Sequence, residues 1–215
     1  MLTKRTSEKT SPSGKKVLVT RAGDQATALA AALAEIGVNP VVVPTIEIIP
    51  PASFVELDQA IADLDQVDYL ILTSVNAVNA FFDRLVAQGR NPQTLSAIQT
   101  VAVGPKSAEA LVERGVTADL IPQDYRAEGV VALLKDRVSG KRLLYPKAAL
   151  GRDLIPTELT AAGAKVIAPV AYASAPPVDA AKKLQQALAE GLDLLTFTAS
   201  STVQNFVDLL DDQDL

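Results

Sequence analysis

The sequence predicts an α/β fold in which parallel sheets carry helices on both faces, and three observations support that class. Short apolar runs rich in β-branched residues alternate with amphipathic stretches of helical period; the runs end in turn formers; and one strand–turn–helix unit occurs twice. Strands that alternate with helices run parallel, because each helix carries the chain back across a face of the sheet.

The elements follow in order. "KVLVT" (16–20) is the first strand, and "DQATALAAALAEIG" (24–37) is the first helix, closing on Gly37 as a helix C-cap does. "PVVVP" (40–44) is the second strand. "YLILT" (69–73) runs through small polar residues into an apolar-periodic helix, and "TVAVG" (100–104) leads into "PKSAEAL". "RLLYP" (142–146), "KVIAP" (165–169) and "LLTFT" (194–198) complete the set. The repeat fixes how they group. "YLILTSVNAVNAFFDRL" (69–85) aligns without a gap to "LLTFTASSTVQNFVDLL" (194–210), with Thr73 over Thr198, Val78 over Val203, Phe81 over Phe206 and Asp83 over Asp208. Further out, "VLVTRA" (17–22) matches "LLYPKA" (143–148), which sets Arg21 over Lys147, and Gly37 matches Gly163.

Two stretches belong to neither half: "PTIEIIPP" (44–51) and "PVAYASAPP" (169–177). Proline pairs at their ends hold the backbone in β or polyproline conformations, so both read as strands crossing between two domains. The expected organisation is a disordered tail over 1–14 and a discontinuous first domain of 15–43 plus 178–215. Linkers at 44–51 and 170–177 then flank a continuous second domain, 52–169. The tail, "MLTKRTSEKTSPSG", is polar and has no apolar core of a secretory signal. The first domain is expected to be incomplete at its C-terminal side, because the counterpart of "TVAVGPKSAEAL" would lie beyond Leu215. A sheet lacking that strand would keep an unpaired edge.

Composition narrows the chemistry. With 48% apolar and 21% charged residues, the chain can bury a sizeable core. No apolar run reaches the roughly 20 residues that span a bilayer, so no membrane is expected and the cytoplasm is the default location. There is no cysteine and no histidine, which removes thiolate nucleophiles, zinc–thiolate sites and the usual general base. A net charge of −5 speaks against nucleic-acid binding. No G-x-G-x-x-G follows a strand, and Pro105 stands where a phosphate loop needs glycine before its lysine. No cofactor and no metal are expected.

In open α/β sheets, ligands sit beyond the carboxyl ends of the strands. Those ends here are "TRA", "TSVN", "VGPKS", "YPKA" and "TASS". Each is read as small, polar or basic residues before a helix N-terminus, where free N–H groups and the helix dipole favour an anion. The candidate binding residues are Arg21, Thr73, Ser74, Asn76, Gly104, Lys106, Ser107, Lys147, Thr198, Ser200 and Ser201. Plain helix capping accounts equally for the hydroxyls, and a solvated charge is the plain account of Arg21 and Lys147. Asp153 and Glu158 read as surface charges.

The halves, "VTRA", "LTSVNAV", "VAVGPKSAEAL", "YRAEG", "YPKA" and "VAYAS", in this order and spacing, resemble the uroporphyrinogen-III synthase family over about 16–210. The resemblance implies two flavodoxin-like domains related by duplication and joined by a two-stranded linker. It implies a lyase of porphyrin and heme biosynthesis whose substrate is hydroxymethylbilane, a linear tetrapyrrole rich in carboxylates. Such an enzyme would remove water and close the ring with inversion of the last pyrrole. A monomer is expected, with a small-molecule tetrapyrrole as its partner. The resemblance also puts the linker tyrosine of the active site at Tyr172, where a phenol is among the few groups able to donate a proton to a departing hydroxyl. Two readings of Tyr172 stay open: general acid, or aromatic packing within the linker. The competing function is a non-catalytic two-domain binder or sensor of an anionic small molecule.

Overall fold

The computed structural model describes residues 12–21 and 23–211. Most of the tail expected at 1–14, together with the last residues of the 178–215 segment, lies outside these. The described residues up to Glu47 form one compact unit with those from Ala175 onward, and Ile48–Ser174 form a second.

In the unit of Ile48–Ser174, the strands β4 (Tyr69–Leu72), β5 (Gln99–Ala102), β6 (Arg142–Leu144) and β8 (Lys165–Ile167) make a parallel sheet in the order β5-β4-β6-β8. All four residues of β4 are buried, and they alternate between faces as a period of two requires. Leu70 and Leu72 enter a core with α2 (Val55–Ala62), α3 (Val75–Ala87) and α4 (Pro105–Glu113), where Phe81, Phe82 and Leu111 also pack. Tyr69 and Ile71 enter a second core with α5 (Ala127–Leu134) and α6 (Leu154–Ala161). A sheet covered on both faces explains why these strands read as continuous apolar runs.

In the other unit, β1 (Lys16–Val19), β2 (Asn39–Val42) and β10 (Leu194–Thr196) make a parallel sheet in the order β10-β1-β2. Leu18 and Val43 pack there with α7 (Ala180–Ala189) and α8 (Ser200–Asp211) through Leu184, Phe206 and Leu209. The first helix among the described residues is α1 (Gly23–Glu35).

The two sheets share a register. Val17 lies beside Leu194 and Lys16 beside Asn39; Leu143 lies beside Tyr69 and Arg142 beside Lys165. An aspartate clamps the amino end of each pair. Asp68 accepts from the Arg142 N–H at 2.8 Å and the Lys141 ammonium at 2.9 Å. Asp193 accepts from the Lys16 N–H at 2.8 Å and the Lys15 ammonium at 2.6 Å. The helix-ending turns also correspond: Gly14 donates to the Gly37 carbonyl at 2.7 Å and Gly140 to that of Gly163 at 2.9 Å. Gly37 and Gly163 both hold positive φ, +80° and +90°, the left-handed C-cap that glycine adopts without strain.

A third sheet has the order β3-β9-β7, from β3 (Glu47–Ile49), β9 (Val170–Ala175) and β7 (Lys147–Ala148). β7 corrects the reading of "YPKA" as a turn directly before a helix. After Tyr145 the chain pairs with β9, Lys147 beside Val170 and Ala148 beside Tyr172, and α6 starts only at Leu154. The prolines at 146 and 169 end the four-stranded sheet, so the chain beyond them is free to pair elsewhere.

Candidate functional site

The strand-end turns of the unit Ile48–Ser174 can be built from the residues upward. β4 ends at Leu72, and Thr73 and Ser74 turn the chain into α3. Ser74 has extended backbone angles, and its Oγ accepts from the Ala77 N–H at 3.0 Å, the bond of a helix N-cap. The same Oγ lies 3.1 Å from the Tyr172 hydroxyl, which arrives from β9. The Tyr172 carbonyl accepts from the Ala149 N–H at 2.9 Å, so strand pairing holds the tyrosine's backbone. The Tyr172 ring is half-buried against the core of Leu70 and Phe81. The ring thus packs against the core while its hydroxyl reaches the strand-end turn.

Asn76 is exposed on the first turn of α3. It borders a cavity of 420 Å³ that Ile49, Phe54, Asn79, Arg84 and Tyr172 also line. The charges of that cavity are tied up within the protein. Arg84 makes a two-pronged contact with Asp58, both bonds at 2.5 Å, and its guanidinium lies 4.3 Å from the centre of the Phe54 ring. The Arg84 contact holds the Asp58 carboxyl below its usual range. Arg114 donates to Asp83 at 2.6 Å and to the Asn79 side-chain oxygen at 2.9 Å. None of Phe54, Asn79 and Arg84 figured in the sequence reading. The available signal was the spacing of Asn76, Asn79, Ala80, Asp83, Arg84 and Ala87 along one outer face of α3.

At the end of β5, Gly104 caps α4, and a Cβ placed there would come within 3.2 Å of the Tyr125 ring. Tyr125 therefore packs directly over this glycine. Ser107 is buried in the first turn of α4, while the Lys106 side chain is 85% exposed and pairs with Glu109. Lys147 is held differently. Its side chain is only 15% exposed and its ammonium is paired with Asp153, which stands at the start of α6. Asp153 is exposed as a surface charge should be, and it is also the partner of Lys147.

The unit containing β1 and β10 carries the remaining candidates. Arg21 follows β1 and is half-buried, and Thr198, Ser200 and Ser201 are exposed around the start of α8. Behind them the sequence reading missed a set of threonines. Thr20 donates to the Thr196 carbonyl at 2.8 Å and Thr196 to the Leu18 carbonyl at 2.7 Å. Thr45, fully buried, donates to the Thr202 carbonyl at 3.2 Å, and Asn205 donates to the Thr45 carbonyl at 2.8 Å. Among the described residues no cluster of acidic side chains could hold a metal ion. No described helix is long and apolar enough to cross a membrane.

Comparison with known proteins shows the family of the chain. The family model for uroporphyrinogen-III synthase HemD matches residues 27–215. The chain belongs to the uroporphyrinogen-III synthase family. It is 41% identical over 202 residues to the uroporphyrinogen-III synthase of Synechococcus elongatus, covering 92% of this chain and 75% of that protein. It is 30% identical over 207 residues to the enzyme of Chlorobaculum parvum, covering 94% and 81%. In fold it is similar to a crystal structure of a mutant uroporphyrinogen III synthase from the extremely thermophilic bacterium Thermus thermophilus. The TM-score there is 0.66 at 21% identity, over 91% of this chain and 77% of that one. A uroporphyrinogen-III synthetase structure from Helicobacter pylori gives 0.57 at 18% identity, over 91% and 78%. The activity of the family, and of this chain with it, is that of a lyase that cyclises hydroxymethylbilane in porphyrin biosynthesis. A non-catalytic binder is not favoured.

Proposed function

We propose that Tyr172 is the general acid of this cyclisation and that the strand-end turns are the groups that hold the substrate's carboxylates. The observation that carries the reading is the Tyr172 hydroxyl, 3.1 Å from Ser74 Oγ at the amino end of a 13-residue helix. In a chain without histidine or cysteine, a phenol at a strand-end turn is a well-placed proton donor. The proton passes from Tyr172 Oη to the hydroxymethyl oxygen as the C–O bond breaks, and water leaves. The pyrrole nitrogen supplies the electrons that replace that bond. The methylene carbon left by the water is attacked by the substituted α-carbon of the last pyrrole, giving a spiro intermediate. The bond from that α-carbon to its old methylene bridge then breaks, the freed bridge bonds the pyrrole's other α-carbon, and the proton released there restores the phenol. Substrate loss of water needs little further acid–base chemistry, so the protein's main work is to hold one folded conformation of the chain of pyrroles.

Thr73, Asn76, Gly104, Lys106, Ser107 and Lys147 form the carboxylate-binding set of the unit Ile48–Ser174, while Ser74, also a carboxylate candidate in the sequence, has its hydroxyl committed to the Ala77 N–H and Tyr172. Arg21, Thr198, Ser200 and Ser201 form a second set on the strand-end face of the other unit. The shared register, the paired aspartate clamps and the paired glycine turns support the reading that the two units are copies of one flavodoxin-like unit. The division into domains at 15–43 plus 178–215 and 52–169, with β3 and β9 as linkers, belongs to the same proposal. So do action as a monomer in the cytoplasm, without cofactor, and the absence of nucleic-acid partners.

Tyr172→Phe tests the reading, because it keeps the ring and removes only the donor. The expected result is a fall in kcat of about 10²–10⁴ in conversion of hydroxymethylbilane to uroporphyrinogen III, with folding stability nearly unchanged. Turnover at the wild-type rate would remove Tyr172 from the chemistry.

A further inference from the structure

We infer that Ser74 acts through Tyr172 as a positioning residue, donating its hydroxyl hydrogen to Tyr172 Oη so that the phenol's own hydrogen points to the substrate. The inference rests on the general-acid reading of Tyr172 and assigns Ser74 a role distinct from binding carboxylate. The bond count permits it, and the polarity of the helix start favours it. A serine hydroxyl has one hydrogen and two lone pairs. The Ala77 N–H donates to Ser74 Oγ at 3.0 Å, which occupies a lone pair and leaves the hydrogen free to turn. The phenolic oxygen 3.1 Å away is its partner in the structure. Were the phenol to donate instead, its hydrogen would point at Ser74 and away from any ligand.

Two further features favour donation from serine. The N–H groups at the start of α3 make the serine oxygen a poorer acceptor and its O–H a stronger donor, as chains of hydrogen bonds polarise one another. The charge that develops on Tyr172 Oη as its proton leaves is also met by a donor already in place, with no reorganisation. The Ser74 hydrogen stays on Ser74 throughout, bonded to the phenolate until the closing ring returns the proton to Tyr172. A serine that only capped α3 would show the 3.0 Å bond and have no need of the second.

Ser74→Gly removes the hydroxyl while leaving a residue that caps helices nearly as well as threonine, so α3 should still form. Expected is a fall in kcat of about tenfold, near the net worth of one hydrogen bond, with KM unchanged. Ser74→Thr, which keeps the hydroxyl, should recover most of that loss. The Ser74→Gly/Tyr172→Phe double variant should be no slower than Tyr172→Phe alone, since Ser74 has nothing to act on once the phenol is gone. Should the glycine variant fail to fold, Ser74→Asp caps as well as serine but can only accept, and must show at least the same loss in kcat. Three results would overturn the role of Ser74: wild-type kcat in Ser74→Gly, a raised KM with kcat intact, or a double variant slowed by the product of the two single effects. Each of these leaves Tyr172→Phe impaired, whereas a Tyr172→Phe variant at the wild-type rate overturns the acid itself.

Discussion

At its amino end β4 is held by Asp68 on Arg142 and Lys141, and β10 is held in the same way by Asp193 on Lys16 and Lys15. Each strand leads into a helix that buries a phenylalanine at the matching place, Phe81 in α3 and Phe206 in α8. Beyond these shared features the two regions part. β4 lies between β5 and β6 and is buried along its whole length. β10 has β1 as its one strand neighbour among the described residues, and Leu194 and Leu195 are 57% and 38% exposed. Similar sequences therefore give the same register and the same clamp, but burial is set by the neighbours. The apolar side chains of β10 are those of a strand with two covered faces; in the described residues only part of that cover is present.

The largest effects should fall where the copies remain alike. Phe81→Ala and Phe206→Ala each remove a buried ring, in contact edge to face with Phe82 at 5.5 Å and with Phe197 at 5.3 Å. Each should cost about 3–5 kcal/mol of stability in urea unfolding. A small loss in one and a large loss in the other would mean that the two helices do not play the same part.

The strands should then separate the copies. Leu70→Ala empties a fully buried site and should cost about 2–5 kcal/mol, while Leu195→Ala removes a side chain already in partial contact with water and should cost about 1 kcal/mol or less. Equal losses would show that β10 is covered in solution as thoroughly as β4.

The seven strand runs were legible because the strands of these parallel sheets carry few polar residues whether or not both faces are covered, and the turn residues at their ends mark where they stop. The tie between Ser74 and Tyr172 was not legible, although both residues stood out singly, because it depends on β9 lying beside β7. A two-residue strand such as Lys147–Ala148 has no periodicity to detect. The aspartate clamps were missed for a similar reason: Asp68 and Asp193 each precede the apolar run, where a lone acidic residue reads as solvated charge. Their partners lie more than 70 residues away in the chain. The threonines at 20, 45 and 196 show the same limit, since a hydroxyl that donates to a distant carbonyl has no local pattern.

Removing the clamps should cost less than emptying the β4 core. Asp68→Ala leaves the Arg142 N–H and Lys141 without their carboxylate, and Asp193→Ala does the same to Lys16 and Lys15, so both should lower the melting temperature by less than Leu70→Ala. The two drops should be similar, since the clamps have matching geometry at half-exposed sites. A drop confined to one clamp would break the correspondence at its amino end, where it is closest.

The smallest effect is the acid response of those clamps, and it tests the correspondence most finely. Asp68 is held below the ordinary carboxylate value first by the Arg142 N–H and then by Lys141, and Asp193 first by Lys15 and then by the Lys16 N–H. A carboxylate with a depressed value in the folded state contributes stability that is fully present above its unfolded value, about 3.9, and is lost as the pH falls through the folded value. Wild-type stability should therefore decline below about pH 4, in part through these two groups. Asp68→Asn and Asp193→Asn cannot take up the proton, so each should flatten that decline while lowering stability slightly at about pH 7. Added salt should weaken the Asp193 contribution more, because its leading partner is an exposed ammonium and that of Asp68 is a backbone N–H, which salt screens little. Urea midpoints at about pH 5 and about pH 3, with and without about 0.5 M salt (a Debye length of roughly 4 Å), measure both effects. If the double asparagine variant loses as much stability as wild type between those two pH values, the clamps bind the strands without carrying the acid sensitivity, and the decline belongs to other carboxylates.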